Sequence, residues 1–187
     1  NVLASDKYVR AFPGGVGFAK AAGNYGASML PLKEAIRKGY DQVLWTDGFE
    51  HCYAEEIGSM NVFFIVDNVV KTPSLIGTIL DGVTRSSCIQ LLRDYGLSVE
   101  ETRVDLDDIL AASKVGKLND AFGAGTAASV AQINSIGYKG EIIQLPAVET
   151  RVHSNRLKVE LEKIKTGKME DKYGWSVKVP AKVSVPA

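Results

Sequence analysis

One lysine stands in a run of small residues near the start of the chain: Gly15-Val16-Gly17-Phe18-Ala19-Lys20-Ala21-Ala22-Gly23-Asn24-Tyr25-Gly26. The glycines and alanines keep crowding around its amine low, and burial would suppress its charge. Those are the conditions under which a lysine attacks a carbonyl carbon and holds it as an imine. Tyr25, five positions on, brings a hydroxyl that can tune such a centre by hydrogen bonding. Further along, Glu55-Glu56-Ile57-Gly58-Ser59-Met60-Asn61 follows an apolar strand. A carboxylate set against a heterocyclic nitrogen favours its protonated form, which is the electron-withdrawing one. Successive side chains on a strand point to opposite faces, so one of Glu55 and Glu56 is expected to face the site and the other away. Two turns complete the set. Gly82-Val83-Thr84-Arg85 opens a predicted helix, where unpaired N–H groups and the helix dipole at Val83 and Thr84 favour an anion. Phe122-Gly123-Ala124-Gly125-Thr126-Ala127-Ala128 is a second Gly/Thr turn, with the Thr126 hydroxyl as a further donor.

The elements that must position these residues read as follows. Residues 8–12 form a short strand ended by Pro13-Gly14-Gly15. Residues 27–38 form a helix that starts close to Ser28, because Pro31 is tolerated only in a first turn, and that stops at Gly39. Strands follow over 41–46, 53–56 and 61–66, the last two separated at Gly58. Asp67-Asn68 is a tight turn into 69–72, a hairpin. Residues 84–95 are helical with Gly96 as the stop, 97–104 contain a strand, and 105–113 form a short helix with Leu106, Ile109 and Leu110 on one face. Strands at 121–122 and 129–133 flank the second turn, and 141–145 is another strand. Residues 148–165 contain the longest helix, whose Lys/Glu spacing marks a solvated face. The tail after Trp175 shows little periodicity. Strands, hairpins and helical crossovers are mixed, with no internal repeat and no linker.

With 187 residues, 45% of them hydrophobic, the chain can build one well-cored domain. Its 22 basic and 22 acidic residues cancel, so no field steers a polyanion and a nucleic-acid partner is not expected. No apolar run is long enough to span a bilayer, and residues 1–10 do not read as a signal peptide. Cys52 and Cys88 lie too far apart for a CxxC pair and support neither a disulfide framework nor a zinc site. A reducing, cytoplasmic home is the simplest reading. His51 and His153 make no metal constellation. Arg10 could contact an anion or pair with an acid, and Arg85 could be an ion-pair partner.

The lysine, glutamate and two turn blocks, in this order, resemble the large domain of the branched-chain amino-acid aminotransferases, fold-type IV enzymes that use pyridoxal 5'-phosphate. The likeness runs from about residue 8 to residue 175. It implies an α/β (mixed α+β) fold, a pseudo-barrel of strands surrounded by helices. It also implies Lys20 as the Schiff-base lysine and proton shuttle, and Tyr25 near the cofactor phenolate oxygen. The register Glu-Ile-Gly-Ser-Met-Asn selects Glu56 for the pyridine nitrogen, with Ser59 and Met60 lining the site nearby. Val83, Thr84 and Thr126 would hold the phosphate, and Thr126 and Ala127 would receive the substrate carboxylate. Many members have threonine where Ser59 stands, and animal members carry a CxxC where this chain has Ala128-Ser129-Val130-Ala131. No thiol switch is therefore expected there. The implied reaction passes an amino group from leucine, isoleucine or valine to 2-oxoglutarate, in a homodimer whose partners are small amino acids and 2-oxo acids. The D-amino-acid transaminases and aminodeoxychorismate lyases share the lysine and glutamate roles, but the spacing from Lys20 to Tyr25 and the Gly58–Asn61 block fit the branched-chain enzymes better. The resembling enzymes also have a smaller N-terminal domain with no counterpart here. Asn1 begins mid-pattern, so residues 1–187 are expected to be the large domain of a longer two-domain chain, with weak or absent turnover alone. A non-catalytic cofactor-binding or dimerisation module is the remaining alternative.

Overall fold

The computed structural model describes residues 1–179, and the rest of the aperiodic tail lies outside them. The chain opens on β1 (Val2–Ala4), a short helix α1 (Ala22–Gly26) and α2 (Met29–Arg37). α2 starts at Ser28, with Pro31 buried in its first turn, and ends where Gly39 takes φ +86°. Next come β2 (Gln42–Thr46), β3 (Tyr53–Ile57), β4 (Met60–Val66) and β5 (Val69–Pro73). Asp67 and Asn68 both adopt positive φ, 52° and 62°, as a two-residue hairpin turn demands. α3 (Val83–Asp94), β6 (Ser98–Thr102), β7 (Val104–Asp105) and α4 (Leu106–Lys114) follow. The Asp105 carboxylate caps α4 by accepting from Asp107 N–H at 2.8 Å. β8 (Leu118–Gly125), β9 (Ser129–Gln132), β10 (Ser135–Tyr138), β11 (Glu141–Gln144) and α5 (Val152–Lys165) complete the described elements.

All the strands join one sheet in the order β11-β10-β1-β2-β3-β4-β5-β6, with β7 on β3 and β8–β9 on β4. β1 runs parallel to β2 and β10, β5 runs parallel to β6, and the remaining pairs are antiparallel. β4 is the hub. It pairs with β3 at its start, β5 at its end and β8 along most of its length. Its unbroken apolar run is explained by burial on both faces. Val62 and Phe64 point into a core with Leu44, Ile57, Leu106, Ile109 and Ile136. Phe63 and Ile65 point into another, beneath α3 and α5, with Cys88, Leu91, Leu92, Phe122 and Leu157. There the Phe63 and Phe122 rings stack with centroids 5.0 Å apart. This mixed, curled sheet with helices around it agrees with the pseudo-barrel expectation.

The structure differs locally from the sequence reading. Residues 8–12 are not a strand. The Ser5 hydroxyl donates to Tyr8 C=O and accepts from Tyr8 N–H, turning the chain off the sheet after β1. The strand there is β1, three residues long and too short to show a period. β10 is likewise absent from the sequence reading, and it fills the position between β1 and β11. Residues 148–165 contain the longest helix among the described residues, as expected, and it does not begin at 148. A single 3-10 turn, Val148–Thr150, ends at Arg151, whose extended backbone starts α5. The buried Arg151 side chain holds this break by donating from Nε and Nη2 to Pro146 C=O.

Candidate active site

β3 carries the first surprise. Leu44 pairs with Ile57 and Thr46 with Ala54, so the single residue Trp45 of β2 opposes both Glu55 and Glu56. That is a β-bulge, and it cancels the alternation expected of the two glutamates. Both are buried, and both carboxylates reach the same segment, residues 78–80. Thr78 Oγ1 donates to Glu55 Oε1 at 2.6 Å, and Leu80 N–H donates to Glu56 Oε1 at 2.7 Å. Glu55 also lines a separate cleft with Asp47, Tyr53 and Arg103, where none of the predicted site residues lies. Burial pushes each carboxyl up to about 7. For Glu56 the Arg10 guanidinium opposes this first, then the Leu80 N–H, with the Lys20 ammonium adding a weaker pull.

Asn61 fixes the approach of the segment that holds these carboxylates. It faces Glu56 across the β3–β4 hairpin and Ala124 on the other side. Its Nδ2 donates to Leu80 C=O at 2.8 Å. The two polar groups of Leu80 are therefore held by neighbouring side chains, Glu56 and Asn61. Gly82 passes so close that a Cβ there would lie 2.3 Å from Asn61 Oδ1. Gly82 is also the N-cap of α3 and offers no side-chain cap. The first N–H groups of α3, at Val83 and Thr84, have no partner within the helix and are available to a ligand. The β8–β9 turn lies alongside, with Thr126 and Ala127 exposed. A cleft of about 190 Å³ is lined by Val83, Thr84 and Thr126, together with Ser129, Lys165 and Trp175. The two predicted anion cradles thus open on one space. Met60 packs under the second, 2.9 Å (Cγ) from where a Cβ on Gly125 would sit, while Ser59 is exposed in the hairpin turn.

Lys20 lies on the turn before α1. It is exposed, so the burial that the sequence reading invoked for it is not found. Its Nζ stands 5.7 Å from the centre of the half-buried Tyr25 ring. Buried Asn24 closes the turn from within, donating through Nδ2 to Val16 C=O at 2.9 Å and Ala19 C=O at 3.0 Å. Arg10 is the residue whose role the sequence left open, and its side chain is almost wholly buried. Its Nη2 donates to Gly17 C=O at 2.9 Å and to Thr78 C=O, and its Nε lies 3.1 Å from Glu56 Oε2. The roles of Arg10, Asn24 and Asn61 were not legible in the sequence. The two asparagines sit inside the recognised blocks, but nothing there says which carbonyls they bind. Arg85 is structural, bonding Pro73 C=O and Glu101. Both cysteines are free and buried, and no metal-binding cluster occurs among the described residues. No helix among them is long and apolar enough to cross a membrane.

The chain is similar to known proteins. The model of the amino-transferase class IV family matches residues 18–136, a span that holds Lys20, Glu56, Thr84 and Thr126. The chain is 48% identical over 179 residues to a probable branched-chain-amino-acid aminotransferase of Staphylococcus epidermidis, covering 96% of this chain and 50% of that protein. It thus spans about half the length of the curated relatives it matches. Its fold superposes on the branched-chain amino acid aminotransferase from Escherichia coli with a TM-score of 0.75 at 30% identity, over 93% of this chain and 55% of that one. It also superposes on a T.th. branched-chain amino acid aminotransferase solved with pyridoxamine 5'-phosphate, with a TM-score of 0.76 at 28% identity, over 93% and 53%. With the match covering most of its length, the chain belongs to the amino-transferase class IV family.

Proposed function

We propose that this chain is the cofactor-binding large domain of a pyridoxal-phosphate-dependent branched-chain aminotransferase. The reading covers leucine, isoleucine or valine as donor, 2-oxoglutarate as acceptor, and a cytoplasmic homodimer as the working protein. The observation that carries it is the state of Glu56. Its Oε1 is taken by Leu80 N–H, but the Arg10 Nε–H beside Oε2 makes no aligned hydrogen bond. Oε2 therefore keeps acceptor capacity for a ring N–H while staying paired in charge. The donor set fits the rest of the cofactor as well: unpaired N–H groups at Val83 and Thr84 and the Thr126 hydroxyl suit a phosphate, and the Tyr25 hydroxyl suits a phenolate.

When bound, pyridoxal phosphate supplies an electron sink for the pair released at the amino acid Cα. The chain's own residues do the rest. Lys20 Nζ would hold the cofactor and, as a free amine, would move the proton to and from the substrate Cα. Both tasks fall to one amine because they occur in turn. Glu56 would hold the ring nitrogen protonated through Oε2. Val83, Thr84 and Thr126 would bind the phosphate, and Thr126 with Ala127 would orient the substrate carboxylate. The 48% identical relative and the matched structures, all described as branched-chain aminotransferases, support the substrate class.

The test is chemical. Pyridoxal phosphate is added to the protein, borohydride reduces the adduct, and the labelled peptide is mapped. A label on Lys20 that is lost in Lys20→Ala is the expected result. Labelling elsewhere, or none, would remove the reading. Amino-donor profiling then separates classes, since activity with D-alanine but not L-leucine would overturn the branched-chain assignment.

A further inference from the structure

We propose that Arg10 is a positioning residue of this site, one guanidinium that locks the lysine-bearing turn to the Glu56 carboxylate. The inference deepens the functional reading above and rests on it for the roles of Lys20 and Glu56. Three segments meet at Arg10. Gly17, three residues before Lys20, accepts from Nη2 at 2.9 Å. Thr78 accepts from the same nitrogen, two residues before the Leu80 N–H that holds Glu56. Glu56 Oε2 lies 3.1 Å from Nε. The Arg10 and Glu56 side chains are 2% and 3% exposed, so solvent does little to screen the pair.

The backbone is built to let these segments meet. A Cβ on Gly17 would sit 2.5 Å from Thr78 C=O, so only glycine allows the lysine turn this close to residue 78. Among the described residues, no other ion pair reaches Glu55 or Glu56, although the bulge sets the two carboxylates side by side. Arg10 therefore does two separable things. Its charge favours the ionised form of Glu56 beside a second buried acid, and its planar fork, with Nε toward Glu56 and Nη2 on both carbonyls, ties two loops to that carboxylate. A lysine at the same place would supply the charge as a single point but not the fork. The roles of charge and shape can thus be told apart by substitution.

The experiment uses the purified protein with Arg10→Met and Arg10→Lys. Amide hydrogen exchange without cofactor reads the tie between the loops. In Arg10→Met, segments 11–20 and 78–82 should exchange faster together, by roughly tenfold or more, because charge-assisted bonds to both are lost. Arg10→Lys should also loosen segment 11–20. The NMR shift of an isotopically labelled ring nitrogen in bound pyridoxal phosphate reads the charge, which a merely structural role would not move. The ring should be protonated in the wild type and in Arg10→Lys, and deprotonated in Arg10→Met. Wild-type exchange in both segments of Arg10→Met, or a protonated ring in it, would overturn the proposal. Should Arg10→Met fail to fold, Arg10→Lys decides alone: a protonated ring with faster exchange at 11–20 supports it, and wild-type exchange there sinks it. The exchange measurement needs no cofactor. A wild-type protein that takes no label on Lys20 would refute the functional reading while the loop tie is still tested.

Discussion

Replacing Glu55 by glutamine should make the protein more stable in mild base and leave it unchanged in mild acid. Glu55 is 3% exposed; its Oε1 accepts from Thr78, and its Oε2 has no partner. Burial first, and more weakly the nearby Asp47, raise its carboxyl from 4.5 to about 7. The sign follows from linkage. The folded carboxyl holds its proton more tightly than the unfolded one, so the protonated form's contribution is complete below the unfolded value. It is lost as pH rises from 4.5 through about 7. A tenfold change in proton affinity is worth about 1.4 kcal/mol, so the ceiling of this loss is roughly 3 kcal/mol. The amide oxygen of the introduced glutamine can still accept from Thr78, so the fold around it is kept. Glu56 should also ionise more readily, because the neighbouring charge that opposes it is gone. Urea unfolding of wild type and Glu55→Gln at pH 5 and pH 8, without cofactor, is the assay. The curves should nearly coincide at the lower pH, and the variant should be more stable by roughly 1–3 kcal/mol at the higher. A difference of the same size and sign at both pH values would refute the reasoning, since Glu55 would then not be ionising in the folded protein over that range.

Three further substitutions test the frame of the fold. Gly82→Ala puts a Cβ 2.3 Å from Asn61 Oδ1 without backbone strain, since Gly82 has φ −79°. It should break the buried Asn61–Leu80 bond at a cost of about 1–3 kcal/mol, seen as a lower thermal midpoint. Adding Asn61→Ala should make the pair non-additive, because the clash has gone; strict additivity would show that the two do not touch. Asp120→Ala should cost about 3–5 kcal/mol in urea unfolding, because it leaves Arg151 buried without its charge partner and removes the acceptor for Ser154 N–H. A loss below about 1 kcal/mol would mean that apolar packing alone holds α5.

Residue type and order already carry the punctuation of this chain and much of its chemistry. Gly39, Gly96 and Asp67-Asn68 end or turn their elements because few other residues take positive φ. Pro31 sets the start of α2 because it fits only a first turn. The apolar run of β4 announces a buried strand. Lys20, Glu56, Val83, Thr84 and Thr126 stand out as a proposed set because their blocks resemble, in the same order, those of a known family. Other features depend on partners distant in sequence and arise only in the folded chain. The bulge that brings Glu55 beside Glu56 arises from the pairing of β3 with β2, and a single strand cannot report its own register. β1 and β10 are too short to show a period and exist because each completes the other's hydrogen bonds. Arg10 stays undecided between contacting an anion and pairing with an acid until residues 17, 56 and 78 close around it. A guanidinium leaves water only where such partners are already assembled, and it is folding that assembles them.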